Sequence, residues 1–401
     1  MAELLALDAA LTELFTLAAA QPPLAVETVP TLAARHRVLA ADLVSALAVP
    51  PADNSAMDGY AVRAAEARAG AVLPVSQRIA AGHVGTELLP GTAARIFTGA
   101  PIPAGADTVV MQEHTVAGDA TVTFTQDAQA DRHIRRAGED IAPGQTVLAA
   151  GARLTPAGLG VAASVGAATL AVRRRLRVAL LCTGDELTQP GEPLAPGAIY
   201  NSNRYTLRAL LETAGCEVSD LGNVPDDLPA TLAALREASA CDVIVTSGGV
   251  SVGDADHLRP AVQQLGRLHL WKLAIKPGKP LAVGQVGAAL YFGLPGNPAA
   301  SFATFLVVVA PVLRALQGMT QRTVRSLPLR AAFDWPRPDA RREFLRVRVD
   351  ADGAVALFPH QGSGVLTSAV WADGLVDVPP GQAIARGDAV RFLSMADLLA
   401  T

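Results

Sequence analysis

Over the first residues of the chain the apolar positions fall at helical spacing: Leu4, Leu7, Leu11, Leu14 and Phe15 share one stripe. That pattern predicts an amphipathic helix over residues 3–20, ended by Pro22-Pro23. Residues 31–48 read as a second helix, stopped by Pro50-Pro51. From there to about residue 150 the texture changes. Short β-branched runs, Thr108-Val109-Val110-Met111 and Thr121-Val122-Thr123-Phe124, are cut by Gly, Pro and Asp turns, which predicts a small all-β insert. The Gly- and Ala-rich stretch 153–172 then returns the chain to its first region.

Residues 176–318 have a different rhythm. Leu176-Arg177-Val178-Ala179-Leu180-Leu181-Cys182 is almost unbroken apolar, as a strand buried on both faces should be. A helix follows, capped by Ser202 or Asn203, with Leu207, Leu210, Leu211 and Ala214 on one stripe and Gly215 at its end. A strand over 217–224, a helix opened by Asp226-Asp227 and a strand over 242–246 continue the alternation. Further β segments at 268–275, 281–286 and 289–292 lead to a long buried helix after Pro298. Alternating β and α elements imply a mainly parallel, doubly wound sheet with helices on both faces. From about residue 324 the period returns to two. Leu345, Val347 and Val349 share one face, Arg346 and Arg348 take the other, and Asp352-Gly353 makes a hairpin turn. This region predicts a small β-barrel or sandwich.

Composition narrows the function classes. Of 401 residues, 50% are hydrophobic and 17% charged, the opposite of a disordered chain. Basic residues number 33 and acidic 37, a net charge of −4, so no overall basic field draws nucleic acid or a membrane surface. Aromatics at 4% argue against base-stacking platforms. Cys182, Cys216 and Cys241 form no CxxC pair and read as small buried residues in a reducing compartment. The longest charge-free apolar run, 298–313, contains Pro311 and falls short of the ~20 residues that cross a bilayer. With no basic signal-peptide start either, a cytoplasmic location is expected.

Candidate chemistry gathers where an open α/β sheet binds ligands, beyond the carboxyl ends of its strands. Three such loops have unusual composition, each with glycine and small polar or acidic residues: Thr183-Gly184-Asp185-Glu186, the run from Ser247-Gly248-Gly249 through Ser251 to Asp256, and Gly293-Leu294-Pro295-Gly296-Asn297-Pro298. Glycines let backbone N–H groups approach an anion, and the acids suit a hard divalent cation that bridges phosphates. No Walker A loop or GxGxxG run is present. A basic segment, Trp271-Lys272-Leu273-Ala274-Ile275-Lys276-Pro277-Gly278-Lys279-Pro280, forms a compact cationic ridge, either a solvated strand end or a clamp for an oxyanion. His114 and His133 lack partners at metal-ligand spacing.

These loops, with Asn54-Ser55-Ala56-Met57-Asp58-Gly59-Tyr60-Ala61, Thr98-Gly99-Ala100-Pro101 and Gly138-Glu139-Asp140, closely resemble the molybdopterin molybdenumtransferase family, the bacterial MoeA proteins and the gephyrin E domain, in order and over nearly the whole chain. The resemblance implies an α/β multidomain fold: an N-terminal helical region (1–48 and 151–175), a β insert (49–150), a central doubly wound molybdopterin-binding domain (176–320) and a C-terminal β-barrel (324–401). It implies insertion of molybdate into adenylyl-molybdopterin with Mg²⁺-dependent cleavage of the phosphoric anhydride and release of AMP. The family works as a homodimer, and docking of a molybdopterin adenylyltransferase is left open. Asp58, Thr98 and Asp140 are then expected from the partner subunit, and Glu186, Asp226 (or Asp227) and Asp256 from the α/β domain, with Asp58, Glu186 and Asp256 on the metal. Lys272, Lys276, Lys279, Arg341 (or Arg342) and Ser363 are expected to bind molybdate and the anionic substrate. The strand-end residues Thr183, Gly184, Asp185, Ser247, Gly248, Gly249, Ser251, Pro295, Asn297 and Pro298 are expected to bind substrate or molybdate.

Overall fold

Successive residues of the strand Arg177–Thr183 point to opposite sides of a six-stranded sheet, and both sides are buried. In the computed structural model, which describes residues 4–248 and 257–399, Val178 and Leu180 pack with Leu207, Leu210 and Leu211 of the helix Ser202–Thr213. Ala179 and Leu181 pack on the other side with Leu235 of the helix Leu228–Ala238 and with Leu258 and Val262 of the helix Leu258–Leu265. The strands run in the order Glu217–Val224, Arg177–Thr183, Val243–Ser247, Ala289–Leu294, Pro280–Val286, Gly266–Lys272. The first four are parallel, Pro280–Val286 runs against them, and Gly266–Lys272, antiparallel to Pro280–Val286, runs with them again. The chain leaves Arg177–Thr183 toward one edge and returns through Val243–Ser247 on its other side, so the strand order reverses between these two.

The long apolar helix, Pro298–Leu316, is long and apolar enough to cross a membrane by composition, yet 83% of its most apolar window is buried in the protein. It is a core helix. Its middle, Phe305–Val309, is a π turn just ahead of Pro311, which has no N–H to give the regular helical bond. The N-terminal helix Leu7–Ala19 packs Leu7, Ala10 and Leu14 into the same core.

The insert is a six-stranded sheet in the order Thr108–Met111, Gly59–Val62, Ala93–Ile96, Val72–Ile79, Thr121–Phe124, Thr115–Ala117, as the β-branched runs predicted. The second helix expected over 31–48 does not form. Only one 3₁₀ turn appears, Thr31–Ala33. The backbone beyond it pairs elsewhere: Leu39 N donates to Ala152 O at 2.9 Å, Ala40 N to Ala171 O at 3.0 Å, and Leu43–Val44 pairs with Thr146–Leu148. Val38 and Leu39 are adjacent and both buried, a spacing that sequence-distant partners impose and a helix does not. Val26–Pro30 pairs antiparallel with Thr169–Arg173.

The C-terminal region is a six-stranded sheet in which Ile275–Lys276, Arg342–Val349, Gly374–Val378, Ala389–Ser394 and Leu327–Arg330 follow one another and Val355–Leu357 pairs with Arg342–Val349. Leu345, Val347 and Val376 form its core. The face that carries Arg346 is covered at that position. Arg346 is 1% exposed, and its guanidinium donates to Ser368 Oγ, Phe344 O and Gly362 O, with burial pushing its pKa down to about 10. A loop covers that face and is tied down by the arginine.

Burial also pushes the thiols of Cys182 and Cys216 up, to about 11 and about 12, while Cys241 is partly exposed. A thiol reagent at about pH 8 should therefore modify no more than one cysteine, Cys241, in the native protein and all of them after denaturation. Rapid labelling of Cys182 or Cys216 in the native state would contradict their placement.

Candidate functional site

At the reversal of strand order a cavity of ≈ 920 Å³ opens beyond the strand ends. Thr183, Ser247, Gly248, Pro295 and Gly296 form its floor, Glu186 and Asn297 its near rim, and Lys272, Lys276, Lys279, Arg341 and Ser363 its far wall.

The floor is held by one side chain. Asn203 Nδ2 donates to Ser247 Oγ and to Gly296 O, each at 2.7 Å, joining two of the loops. Its Oδ1 is buried and has no protein partner. Because the carbonyl of Gly296 can only accept, the amide orientation is fixed. The helix cap expected at Ser202 or Asn203 belongs to Asn201, whose side chain accepts from Arg204 N at 3.0 Å. Gly184 has φ +145, and a Cβ there would stand 2.4 Å from Glu186 Oε2, so only glycine lets that carboxylate lie back over the turn.

The basic ridge is built by a strand that changes sheets. Gly266–Lys272 is the edge of the central sheet; Ile275–Lys276 then pairs parallel with Arg342–Val349, with Ile275 opposite Arg342 and Lys276 opposite Glu343. Leu5 supports the bend, its N–H donating to Lys272 O at 2.8 Å. Gly278 passes against the long helix, where a Cβ would meet Thr304 Oγ1 at 2.2 Å. Arg341 lines the cavity and holds Asp339 through Nε and Nη2 at 2.9 and 2.8 Å. That fork keeps the Asp339 carboxyl well below the ordinary carboxylate range and raises Arg341. Arg342 points away, into a bidentate pair with Asp377. Ser363 arrives on the loop that Arg346 fixes, and Ser363 O accepts from Ala300 N at 3.0 Å. Gln361 completes the loop by exchanging hydrogen bonds with both backbone groups of Arg346, each 2.9 Å.

The remaining expected residues lie elsewhere. Asp58 and Thr98 meet in the insert, where Asp58 Oδ1 accepts from the Thr98 N–H and hydroxyl, both at 2.8 Å, which holds its carboxyl below the ordinary range. Neither they nor Asp140 line this cavity. Gly184, Asp185, Asp226 and Pro298 also stay outside its lining; Asp185 Oδ1 accepts from Asp226 N at 3.2 Å. Asp227 caps the helix Leu228–Ala238 by accepting from Ala230 N at 2.8 Å, leaving Asp226 as the acid of the turn without a capping role. Gly249, Ser251 and Asp256 lie outside the described residues. The sequence did not point to Asn201, Asn203 or Gln361 as cavity residues, since each is an ordinary polar residue whose role comes from a partner far along the chain.

Three parts of the chain match protein-family descriptions: residues 5–166 "MoeA N-terminal region (domain I and II)", residues 179–315 "Probable molybdopterin binding domain" and residues 328–395 "MoeA C-terminal region (domain IV)". A molybdopterin molybdenumtransferase of Haemophilus influenzae is 45% identical over 291 residues, 72% of each chain. Molybdopterin molybdenumtransferase 2 of Mycobacterium tuberculosis is 42% identical over 369 residues, 88% of this chain and 90% of that one. The crystal structure of a molybdopterin biosynthesis moeA protein from Pyrococcus horikoshii superposes with a TM-score of 0.84 at 28% identity, covering 98% of this chain and 100% of that one.

Two outcomes check this geometry. Asp227→Ala should cost about 1 kcal/mol of stability in urea melts, the worth of a lost cap, while Asp226→Ala should change it by less than about 0.5 kcal/mol. Asp339 has a depressed folded-state pKa, so its contribution is present above its unfolded value of 3.8 and is lost as pH falls below it. Asp339→Asn should therefore lose less stability than wild type on acidification through that range; equal losses would contradict the Arg341 fork.

Proposed function

Because the chain belongs to the molybdopterin molybdenumtransferase family, enzymes of molybdenum-cofactor biosynthesis, we propose that its cavity inserts molybdate into adenylyl-molybdopterin, with cleavage of the phosphoric anhydride and release of AMP. The observation that carries this reading is the convergence of Lys272, Lys276, Lys279 and Arg341 on one cavity that Glu186 and the strand-end loops also line. The two reactants are both anions. Two unit charges ~4 Å apart repel by about 4 kcal/mol at an effective dielectric of ~20, and the substrates carry more than one charge each. Fixed ammonium and guanidinium groups remove that barrier to encounter. A molybdate oxygen or water can attack the anhydride, so no side chain need act as nucleophile. The site positions and neutralises.

The acids fit a divalent cation of one kind. Among the described residues no three His, Cys, Asp or Glu side chains gather at metal distance. Glu186 alone of the expected metal acids lines the cavity, with Asp58 on the insert and Asp256 outside the described residues. Such a donor set suits Mg²⁺, which takes one or two carboxylates and keeps water and phosphate oxygens as its other ligands. When bound it would neutralise the anhydride oxygens and stabilise the leaving AMP. Asp58, Thr98 and Asp140 would reach the cavity from the partner subunit of a homodimer, which makes each site a product of two chains. The enzyme would work in the cytoplasm, and the C-terminal sheet, closed by a bridge from Ala331 to Val355, would serve as a small barrel carrying Arg341.

The direct test is AMP release from adenylyl-molybdopterin on addition of molybdate and Mg²⁺. Release should require both, and release independent of molybdate would refute the reading. Glu186→Ala and Asp58→Ala should each depress single-turnover release by about 100-fold or more while changing molybdopterin affinity little. Equal losses in both would show that these acids bind substrate and do not serve the reaction.

A further inference from the structure

Two cations of the cavity wall are already paired before any ligand arrives. Lys276 Nζ stands 2.9 Å from Glu343 Oε1 and 3.4 Å from Asp339 Oδ2. Arg341 forks onto both oxygens of the same Asp339. Neither carboxylate lines the cavity. Glu343 is 1% exposed, and its Oε2 accepts from Trp335 Nε1 at 2.8 Å and from Asp339 N at 3.3 Å. Lys272 and Lys279 form no ion pair among the described residues.

A buried carboxylate is costly, and an apolar residue opposite Lys276 would serve the strand pairing as well or better. Trp335 holds Glu343 Oε2 in place, and Glu343 Oε1 in turn meets the lysine where its ammonium enters the wall. We infer that Glu343 and Asp339 are positioning residues for the oxyanion: they fix the Lys276 ammonium and the Arg341 guanidinium in the geometry that receives it, and touch no substrate themselves. Preorganised charge of this kind costs no reorganisation when the ligand binds. Lys272 and Lys279, unpaired among the described residues, supply attraction, while Lys276 and Arg341 supply direction. The inference rests on the reading that this cavity seats an oxyanion.

A double-mutant cycle on the full-length protein tests it, with molybdate as the calorimetric ligand and AMP release as the second readout. Glu343→Gln keeps the acceptor for Trp335 and removes the charge. It should weaken molybdate binding and lower kcat/KM by about tenfold in the wild-type background, and by less than about twofold when Lys276→Met is already present. Glu343→Asp should recover part of the loss. Equal factors in the two backgrounds would mean that Glu343 acts on the fold and not through Lys276, and would overturn the inference. Should Glu343→Gln fail to fold, Asp339→Asn with and without Arg341→Met reads the same coupling at a more exposed pair. Molybdate binding without AMP release would sink the proposed reaction and leave the cycle decisive for Glu343. Absence of molybdate binding by the wild type would remove both.

Discussion

The parallel pairing of Ile275–Lys276 with the start of Arg342–Val349 is the joint on which the candidate site depends. One strand leaves the edge of the central sheet at Lys272 and becomes the edge of the C-terminal sheet at Lys276. That change of sheet puts a lysine from each sheet on one wall and sets Lys276 opposite Glu343. It also draws Arg341 and the loop of Ser363 over the carboxyl ends of the parallel strands. Neither sheet alone holds the cavity. Hydrophobic burial fixes the joint in turn: Leu273, Ile275 and Phe344 belong to the same core as the long helix and the N-terminal helix.

The electrostatics follow from the packing. Four cations line the cavity, and two carboxylates just behind the wall hold two of them. A wall of unpaired cations would repel itself and its side chains would wander; a fully paired wall would not attract an anion. The arrangement found divides the tasks, with directed charge at Lys276 and Arg341 and, among the described residues, unpaired charge at Lys272 and Lys279. Asn203 joins two of the strand-end loops, which fixes the backbone that lines the cavity beside these cations.

Much of this was legible in the chain. The unbroken apolar strand 176–182 and the stripe Leu207, Leu210, Leu211 identified the doubly wound sheet because both are local patterns that tertiary burial reinforces. The basic ridge and the glycine loops were visible as composition, and eleven of the expected residues do share the cavity, including Thr183, Glu186, Lys272, Lys279 and Arg341. Residues 31–48 misled because Val38 and Leu39 are buried by strands more than 100 positions away. For Arg346 the period-two pattern named the face but could not say that a loop covers it. Arg341 and Arg342 are neighbours of equal chemistry, and only the partners Asp339 and Asp377 separate them.

The central claim is that the cations of this wall form an oxyanion seat. It is tested most directly by calorimetric titration of molybdate into the wild-type protein and into the Lys272→Met/Lys279→Met double variant, at low and at raised ionic strength. The account predicts specific binding that weakens at least about tenfold in the variant and loses most of its salt dependence there. Unchanged affinity in the variant would contradict it.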